Sequence, residues 1–360
     1  MVKIHLLKAF EGDFIWISYG STGNEHHILV DGGVEECGEK YAEIIEKIAE
    51  QTGTIEALIL THVDYDHIAG VCDGIARVKK EILQKLVKRI LFNASALINQ
   101  EIKVTPCSGE YSVADGLKFI DVLEQKGLKK CLCGEVLAGQ SFTLEDNAVL
   151  KIISPGRKQL DRFYEKWEKY EKVHETTMYS ADTKDIQENL TDLKKKPTRQ
   201  DTSINNAASI AFLLEYENVC GAFLGDANAS VCTAGLKKFG ITSRYNIDIL
   251  KISHHGSAGN TNLKLLKYLN TENYLLSTNG NSGRTPSKIL IAKLIKSCED
   301  NHRRKVNLYC NYEWWDLVYY DEYFTEDDIK KYIETETLMK YKLDGEGVTI
   351  KNGLLLYGKG

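Results

Sequence analysis

Short apolar runs along this chain end in polar clusters, and longer stretches with apolar residues three and four apart lie between them. Asp13 to Tyr19 is rich in β-branched and aromatic residues and bounded by glycines, which predicts a strand. His27–Val30 predicts a second, ending at Asp31-Gly32-Gly33. A helix is predicted from about Glu39 to Gln51, because Ile44, Ile45, Ile48 and Ala49 share one face, and Gly53 stops it. The run Ala57–Leu60 predicts a buried strand. Helical spacing returns from Gly74 to Lys88 and from Glu110 to Lys126, with short strands predicted at Arg89–Asn93 and Val149–Ile153.

Beyond a charged stretch, Ser209–Tyr216 and Val219–Leu224 read as a hairpin whose second strand delivers Gly225-Asp226. Asp248–Ser253 delivers His254-His255, and Tyr274–Thr278 ends at Asn279-Gly280-Asn281. Arg157 to Gln200 is Lys- and Glu-rich, with aromatics at Phe163, Tyr164, Trp167 and Tyr170, and predicts a surface helix pair or lid followed by a polar linker. The last fifty residues, aromatic at Tyr309, Tyr312, Trp314, Trp315, Tyr319 and Tyr320, are expected to close the sheet or to make an oligomer contact.

Composition narrows the classes. With 360 residues and 43% hydrophobic content, the chain buries a large core as one big domain or two smaller ones. A net charge of −5 argues against a strongly basic nucleic-acid binder, although Lys79-Lys80, Lys85, Lys88-Arg89 and Lys194–Lys196 form a candidate basic rim. No window resembles a membrane span and no signal peptide is visible at Met1–Lys8. Nine scattered cysteines suit a reducing cytoplasm, and the close pair Cys131-Leu132-Cys133 reads as structural thiols.

The chemistry concentrates after strands, at Asp31, His62–His67, Asp226 and His254-His255. Between Thr61 and Gly70 the chain reads THVDYDHIAG, placing His62, Asp64, Asp66 and His67 within six positions on what reads as one irregular loop. Clustered carboxylates repel, and a divalent cation is the usual compensation. Asp226 has two oxygens with which to bridge paired metals, and a histidine from His254-His255 completes the second site.

Taken together, ILTHVDYDHIAG, FLGDA and LKISHHGS resemble the metal motifs of the metallo-β-lactamase-fold hydrolases. They look most like the branch that includes the hydrolase domain of ComEC-type DNA-uptake proteins. Gly12-Asp13, Leu29–Gly33 and Asn205–Ser209 share that likeness. The resemblance implies a four-layer αββα sandwich with a metal site at the edge between its sheets. It implies His62 and Asp64 for a first metal, Asp66 and His67 for a second, Asp226 bridging, and Asp31 behind the ligands.

Two features depart from the family. Asp64 stands where a histidine is common, and the family's further histidine before the bridging aspartate has no counterpart except His174, in the charged stretch. Thr285, in Gly283-Arg284-Thr285-Pro286, replaces a histidine before the proline. The oxygen-rich site shifts preference from Zn²⁺ toward Mn²⁺, at one or two ions per chain.

The expectation is a hydrolase domain over residues 1–306 with a charged insertion at about 157–200, and a strand-rich extension over 307–360 packed on it. Its expected activity is that of a cytoplasmic phosphodiesterase or nuclease acting on DNA, RNA or a nucleotide-type phosphodiester. Asp66 is the candidate to orient or deprotonate water. Ser257, Asn279, Lys251 and Arg284 are candidates to hold a phosphate oxygen, unless Lys251 points to solvent. Hydrolysis of a non-nucleotide ester, amide or lactone, and a binding role in a multi-protein system with a weakened site, stand as alternatives.

Overall fold

Alternation along the strands assigns the layers. In a computed structural model, which describes residues 1–21, 23–93, 111–168, 188–281, 285–317, 323–343, 347–351 and 354–356, Ile28 and Val30 point into one core and Leu29 into another. Likewise Ala57 and Ile59 face the middle of the molecule while Leu58 and Leu60 face outward helices.

Among the described residues, one sheet has seven strands: β1 (Val2–Leu6), β2 (Ile15–Ser21), β3 (Asn24–Val30), β4 (Thr54–Ile59), β5 (Ile90–Leu91), β16 (Val348–Lys351) and β17 (Leu354–Leu356). Their spatial order is β17-β16-β1-β2-β3-β4-β5. A second sheet has eight: β6 (Ser141–Thr143), β7 (Val149–Ser154), β8 (Ala211–Tyr216), β9 (Val219–Phe223), β11 (Ile249–Lys251), β13 (Asn273–Leu276), β14 (Val306–Cys310) and β15 (Leu338–Lys342). A separate small pair joins β10 (Tyr245–Asn246) to β12 (Leu269–Asn270).

The inner faces of both sheets share one core, with Ile17, Ile28 and Ile59 from the first and Leu150, Phe212 and Leu275 from the second. Outside the first sheet lie α1 (Gly38–Glu50), α2 (Tyr65–Arg77), α3 (Lys80–Leu86) and α4 (Tyr111–Lys126). Outside the second lie α6 (Leu190–Leu193), α8 (Ala229–Lys238), α9 (Leu263–Tyr268) and α10 (Lys288–Asp300). The result is the expected αββα sandwich.

Three elements run differently from the sequence reading. The region read as one helix over 74–88 is two, α2 and α3, with Val78 in extended backbone between them. The cluster read as an irregular loop is half helical, since Asp66 and His67 sit in the first turn of α2. Ile68, Val71, Cys72 and Ile75 form the buried stripe of that helix, and the intervening glycines obscure it in sequence. Gly70 is required there: a Cβ would stand 2.0 Å from the Gly32 carbonyl oxygen. From the charged stretch, α5 (Arg157–Glu168) buries Leu160 and Phe163 in the first outer core against α7 (Ile204–Ala207). The tail supplies strands to both sheets, β14 and β15 to one, β16 and β17 to the other.

Strands β3 and β4 run parallel, as do β9, β11, β13 and β14, so the carboxyl ends that carry the polar clusters gather at one edge. No described helix is long and apolar enough to cross a membrane. Trp167, Tyr170, His174, Arg284, Tyr319 and Tyr320 lie outside the described structure or its described side chains.

Candidate metal centre

Each imidazole of the edge is held from behind by an acceptor. His67 Nδ1 lies 2.8 Å from Asp31 Oδ2, and His255 Nδ1 lies 3.2 Å from the Ser277 carbonyl. His254 Nδ1 lies 2.9 Å from Asn260 Oδ1. The Thr61 hydroxyl donates to Asp31 Oδ2 at 2.7 Å, so it accepts from His62 Nδ1 at 3.0 Å. With the proton on Nδ1 in all four rings, each Nε2 presents a lone pair inward.

Those lone pairs meet carboxylates and one another. His62 Nε2 stands 3.5 Å from Asp64 Oδ2 and 3.7 Å from Asp226 Oδ2. His67 Nε2 stands 3.6 Å from Asp226 Oδ1 and 3.2 Å from His255 Nε2. His255 Nε2 is 3.3 Å from Asp66 Oδ2, and His254 Nε2 is 3.7 Å from Asp226 Oδ2. Two atoms, His62 Nε2 and Asp226 Oδ1, are buried without any hydrogen-bond partner.

Acceptors facing acceptors across such gaps repel unless a cation lies among them. Donors about 2.1 Å from a shared tetrahedral centre stand about 3.4 Å apart, which is the spacing seen. The residues present therefore fit a divalent metal. Without one, protons take its place. Burial opposes charge on both rings, yet Asp226 and the neighbouring carboxylates raise His67 well above the usual imidazole range and His255 to about 10. Burial also opposes ionisation of Asp226, but His254, His67, His255 and His62 hold it well below the usual carboxylate range.

Local backbone explains how the donors converge. In an extended strand His254 and His255 would point to opposite faces. Both have φ of 51°, a left-handed turn after β11 that brings both rings toward Asp226. Asp31, at φ 52°, also leaves its strand abruptly and accepts the Thr61 N–H at 2.8 Å, tying the ends of β3 and β4 together. Before Asp226 stands Gly225, at φ 48°, where a Cβ would lie 2.6 Å from the Ser209 hydroxyl. That hydroxyl accepts the Asp226 N–H at 3.1 Å.

The structure thus brings together His62, Asp64, Asp66, His67, Asp226, His254 and His255. Both members of the histidine pair reach the cluster, where the sequence reading asked for one. His254 lies beside Asp226 and supplies an imidazole the chain otherwise lacks between His67 and Asp226 among the described residues. Asn205 donates to Asp64 Oδ1 at 2.7 Å, so the residue replacing a histidine is itself oriented.

Lys251 is not among the converging groups. It points neither to solvent nor to a substrate: its ammonium is fully buried and paired with Asp13 Oδ2. The reason is the inward register of β11, which aims it at the loop before β2. Burial opposes ionisation of Asp13, but Lys251 and then His255 bring its carboxyl down to about 2. Its Oδ1 lies 3.4 Å from His255 Nδ1, so the pair sits behind that ring. Ser257 follows the histidine turn, partly exposed, with its N–H donating to the His254 carbonyl at 2.8 Å. Asn279 donates weakly to Glu11 at 3.4 Å, and Thr285 bonds the Thr278 hydroxyl at 3.1 Å. Sequence reasoning assigned no role to Asn260 or Asp201, which lie far from the motifs in the chain. The Asn205-Asn206 doublet was a visible signal for the amide behind Asp64.

Residues 15–73 match the model of the Metallo-beta-lactamase superfamily. The chain is 31% identical over 127 residues to a hydroxyacylglutathione hydrolase of Psychromonas ingrahamii, covering 35% of this chain and 44% of that protein. A hydroxyacylglutathione hydrolase of Saccharophagus degradans is 27% identical over 78 residues, covering 22% and 26%. The chain thus spans less than half the length of these curated relatives. Among solved structures, Zn²⁺-bound PqqB from Methylobacterium extorquens has 12% identity and a TM-score of 0.43, covering 99% of this chain and 100% of that one. The metallo-beta-lactamase fold protein YhfI from Bacillus subtilis has 10% identity and a TM-score of 0.41, with coverage of 99% and 100%.

Proposed function

We propose that this chain is a metal-dependent hydrolase that cleaves a nucleotide-type phosphodiester at the histidine–carboxylate edge. The observation that carries the hydrolase reading is the set of four imidazole Nε2 atoms and three carboxylates aimed at shared space, two of their atoms buried without a partner. His62, Asp64 and His254 would hold one cation, Asp66, His67 and His255 another, with Asp226 between them. Bound there, Zn²⁺ or Mn²⁺ supplies Lewis acidity that offsets charge building on the substrate and makes water a better nucleophile at neutral pH.

The chain's own groups do the positioning. Asp31, Thr61, Asn260 and the Ser277 carbonyl fix the four ring orientations, so the site needs little rearrangement during reaction. Asp66 is partly exposed at the edge and is the carboxylate to accept a hydrogen bond from the attacking water. Ser257, beside the histidine turn, would donate to a substrate oxygen.

The phosphodiester preference rests on the motif likeness to the DNA-uptake branch. Two observations favour a small substrate over a long nucleic acid. Lys194 is paired with Glu299, and Lys196 with Glu188, which neutralises part of the basic rim. A second reading, thioester hydrolysis, is favoured by the curated relative at 31% identity, whose name specifies a hydroxyacylglutathione. The binding-component reading rests on the absent histidine and on Thr285, and His254, with its Nε2 3.7 Å from Asp226 Oδ2, weighs against the first of these.

Assays with bis(p-nitrophenyl) phosphate and with a hydroxyacylglutathione separate the two enzymatic readings. Turnover of the diester, reduced at least about a hundredfold by Asp66→Ala, is expected. Turnover of the thioester alone would overturn the phosphodiester assignment, and diester turnover that survives Asp66→Ala would overturn the site. Fewer than one bound metal per chain after loading would return the binding-component reading.

A further inference from the structure

Next to the metal centre lies an open pocket of about 340 Å³ that the centre does not use, lined by both polar and apolar side chains. The two share a wall. Asp201 lines the cavity, and its Oδ2 stands 3.8 Å from His254 Nδ1. Asn228 lines it as well and donates to the Asp201 carbonyl at 3.2 Å.

The far wall is α5. Its buried residues Leu160 and Phe163 fix the helix against the core, which leaves Gln159 and Arg162, three apart and so neighbours on the helix surface, lining the cavity. Thr202 joins them from the chain before α7. Among the described residues, nothing bonds to the side chains of Gln159, Arg162 or Thr202. Asp201, which also lines the pocket, accepts from the Ser203 N–H at 2.9 Å, Asn206 at 2.7 Å and Asn260 at 2.9 Å, and no ion pair joins it to Arg162 among the described residues.

A guanidinium, an amide and a hydroxyl from two separate segments therefore line one pocket, Arg162 and Thr202 exposed to solvent and none of the three bonded to another described side chain. Such a set is complementary to an anion, and charge-assisted bonds from Arg are the strong ones. Three donor side chains suit the three terminal oxygens of a phosphate better than the two of a carboxylate.

We propose that this cavity receives a second phosphate group of the substrate, held by Arg162 with Gln159 and Thr202, while the bond to be cleaved lies at the histidine–carboxylate cluster. The proposal rests on the reading of that cluster as a hydrolytic site and adds a substrate class to it, a nucleotide carrying a phosphate beyond the scissile one.

Calorimetric titration of the metal-loaded full chain with thymidine 5′-monophosphate and with thymidine 3′,5′-bisphosphate tests it. The bisphosphate is expected to bind about tenfold more tightly. In Arg162→Gln the ratio of the two affinities is expected to fall to near one, and in Arg162→Lys to be partly kept. A preference unchanged in Arg162→Gln, no preference in the unaltered protein, or no binding of either nucleotide would each overturn the proposal. Turnover is not read in this titration. A protein that hydrolyses no phosphodiester yet keeps an Arg162-dependent preference loses the proposed activity and retains the pocket, and the converse result removes the pocket alone.

Discussion

At the scale of single residues, His27 and the imidazoles of the metal centre differ in what faces their ring nitrogens. Those of the metal centre meet carboxylates. His27, on β3, meets the indole of Trp16, whose Nε1–H donates to His27 Nδ1 at 3.1 Å, and its Nε2 is buried without a partner. Burial, aided by His26 and His5, pushes this imidazole down from 6.5 to about 4. Between those values the unfolded chain takes up a proton that the folded chain refuses. The stability from a neutral His27 is therefore full above pH 6.5 and is lost as pH falls toward 4, by up to about 3 kcal/mol. Urea unfolding of the unaltered protein is expected to lose stability more steeply between pH 6.5 and 4.5 than that of His27→Gln. Parallel curves would show that His27 does not titrate in this way.

At the scale of elements, the first turn of α10 is fixed to the tail by a buried ion pair. Lys288 Nζ lies 2.9 Å from Asp328 Oδ2, with both side chains essentially inaccessible. The same carboxylate accepts the Leu190 N–H at 2.6 Å and the Thr325 N–H at 3.1 Å, so three short segments outside the second sheet depend on it. Removing one partner leaves the other charge buried and alone, which costs about 3–5 kcal/mol. Lys288→Met is expected to destabilise by that amount in chemical denaturation, and Lys288→Met/Asp328→Asn to recover part of it. A single variant that loses under about 1 kcal/mol would mean the pair is hydrated and weak. This element-level contact was invisible in the sequence, because Lys288 and Asp328 lie in stretches with no shared motif.

At the scale of the whole molecule, the metal centre joins the two sheets. His62, Asp64, Asp66 and His67 follow β4 of one sheet, while Asp226 follows β9 and the histidine pair follows β11 of the other. A cation bound by both sets acts as a cross-link that the unfolded chain cannot reproduce, and binding to the folded state alone adds roughly 3 kcal/mol at a hundredfold excess over Kd. Dialysis against a chelator is expected to lower the melting temperature by several degrees, with recovery on adding Zn²⁺ or Mn²⁺. An unchanged melting temperature would count against a resident metal.

The sequence by itself determined the strands that end in ligands, because alternation and apolar runs are local, and the spacing His62 to His67 places four donors together whatever the fold. It also determined the αββα sandwich, through motifs whose order repeats a known pattern. It did not determine that Asp66 and His67 open a helix, since Gly70 and Gly74 hide the apolar stripe of α2. Nor did it decide that both His254 and His255 face Asp226, which depends on two left-handed residues, or that Lys251 is spent on Asp13. The cavity of Gln159, Arg162 and Thr202 is likewise a matter of tertiary structure. Thr202 lies forty positions beyond Arg162, and only the packing of α5 against the core brings them to one pocket. Patterns within a turn or a strand are carried by neighbouring residues, whereas the choice of partner across the edge is made when the two sheets close on each other.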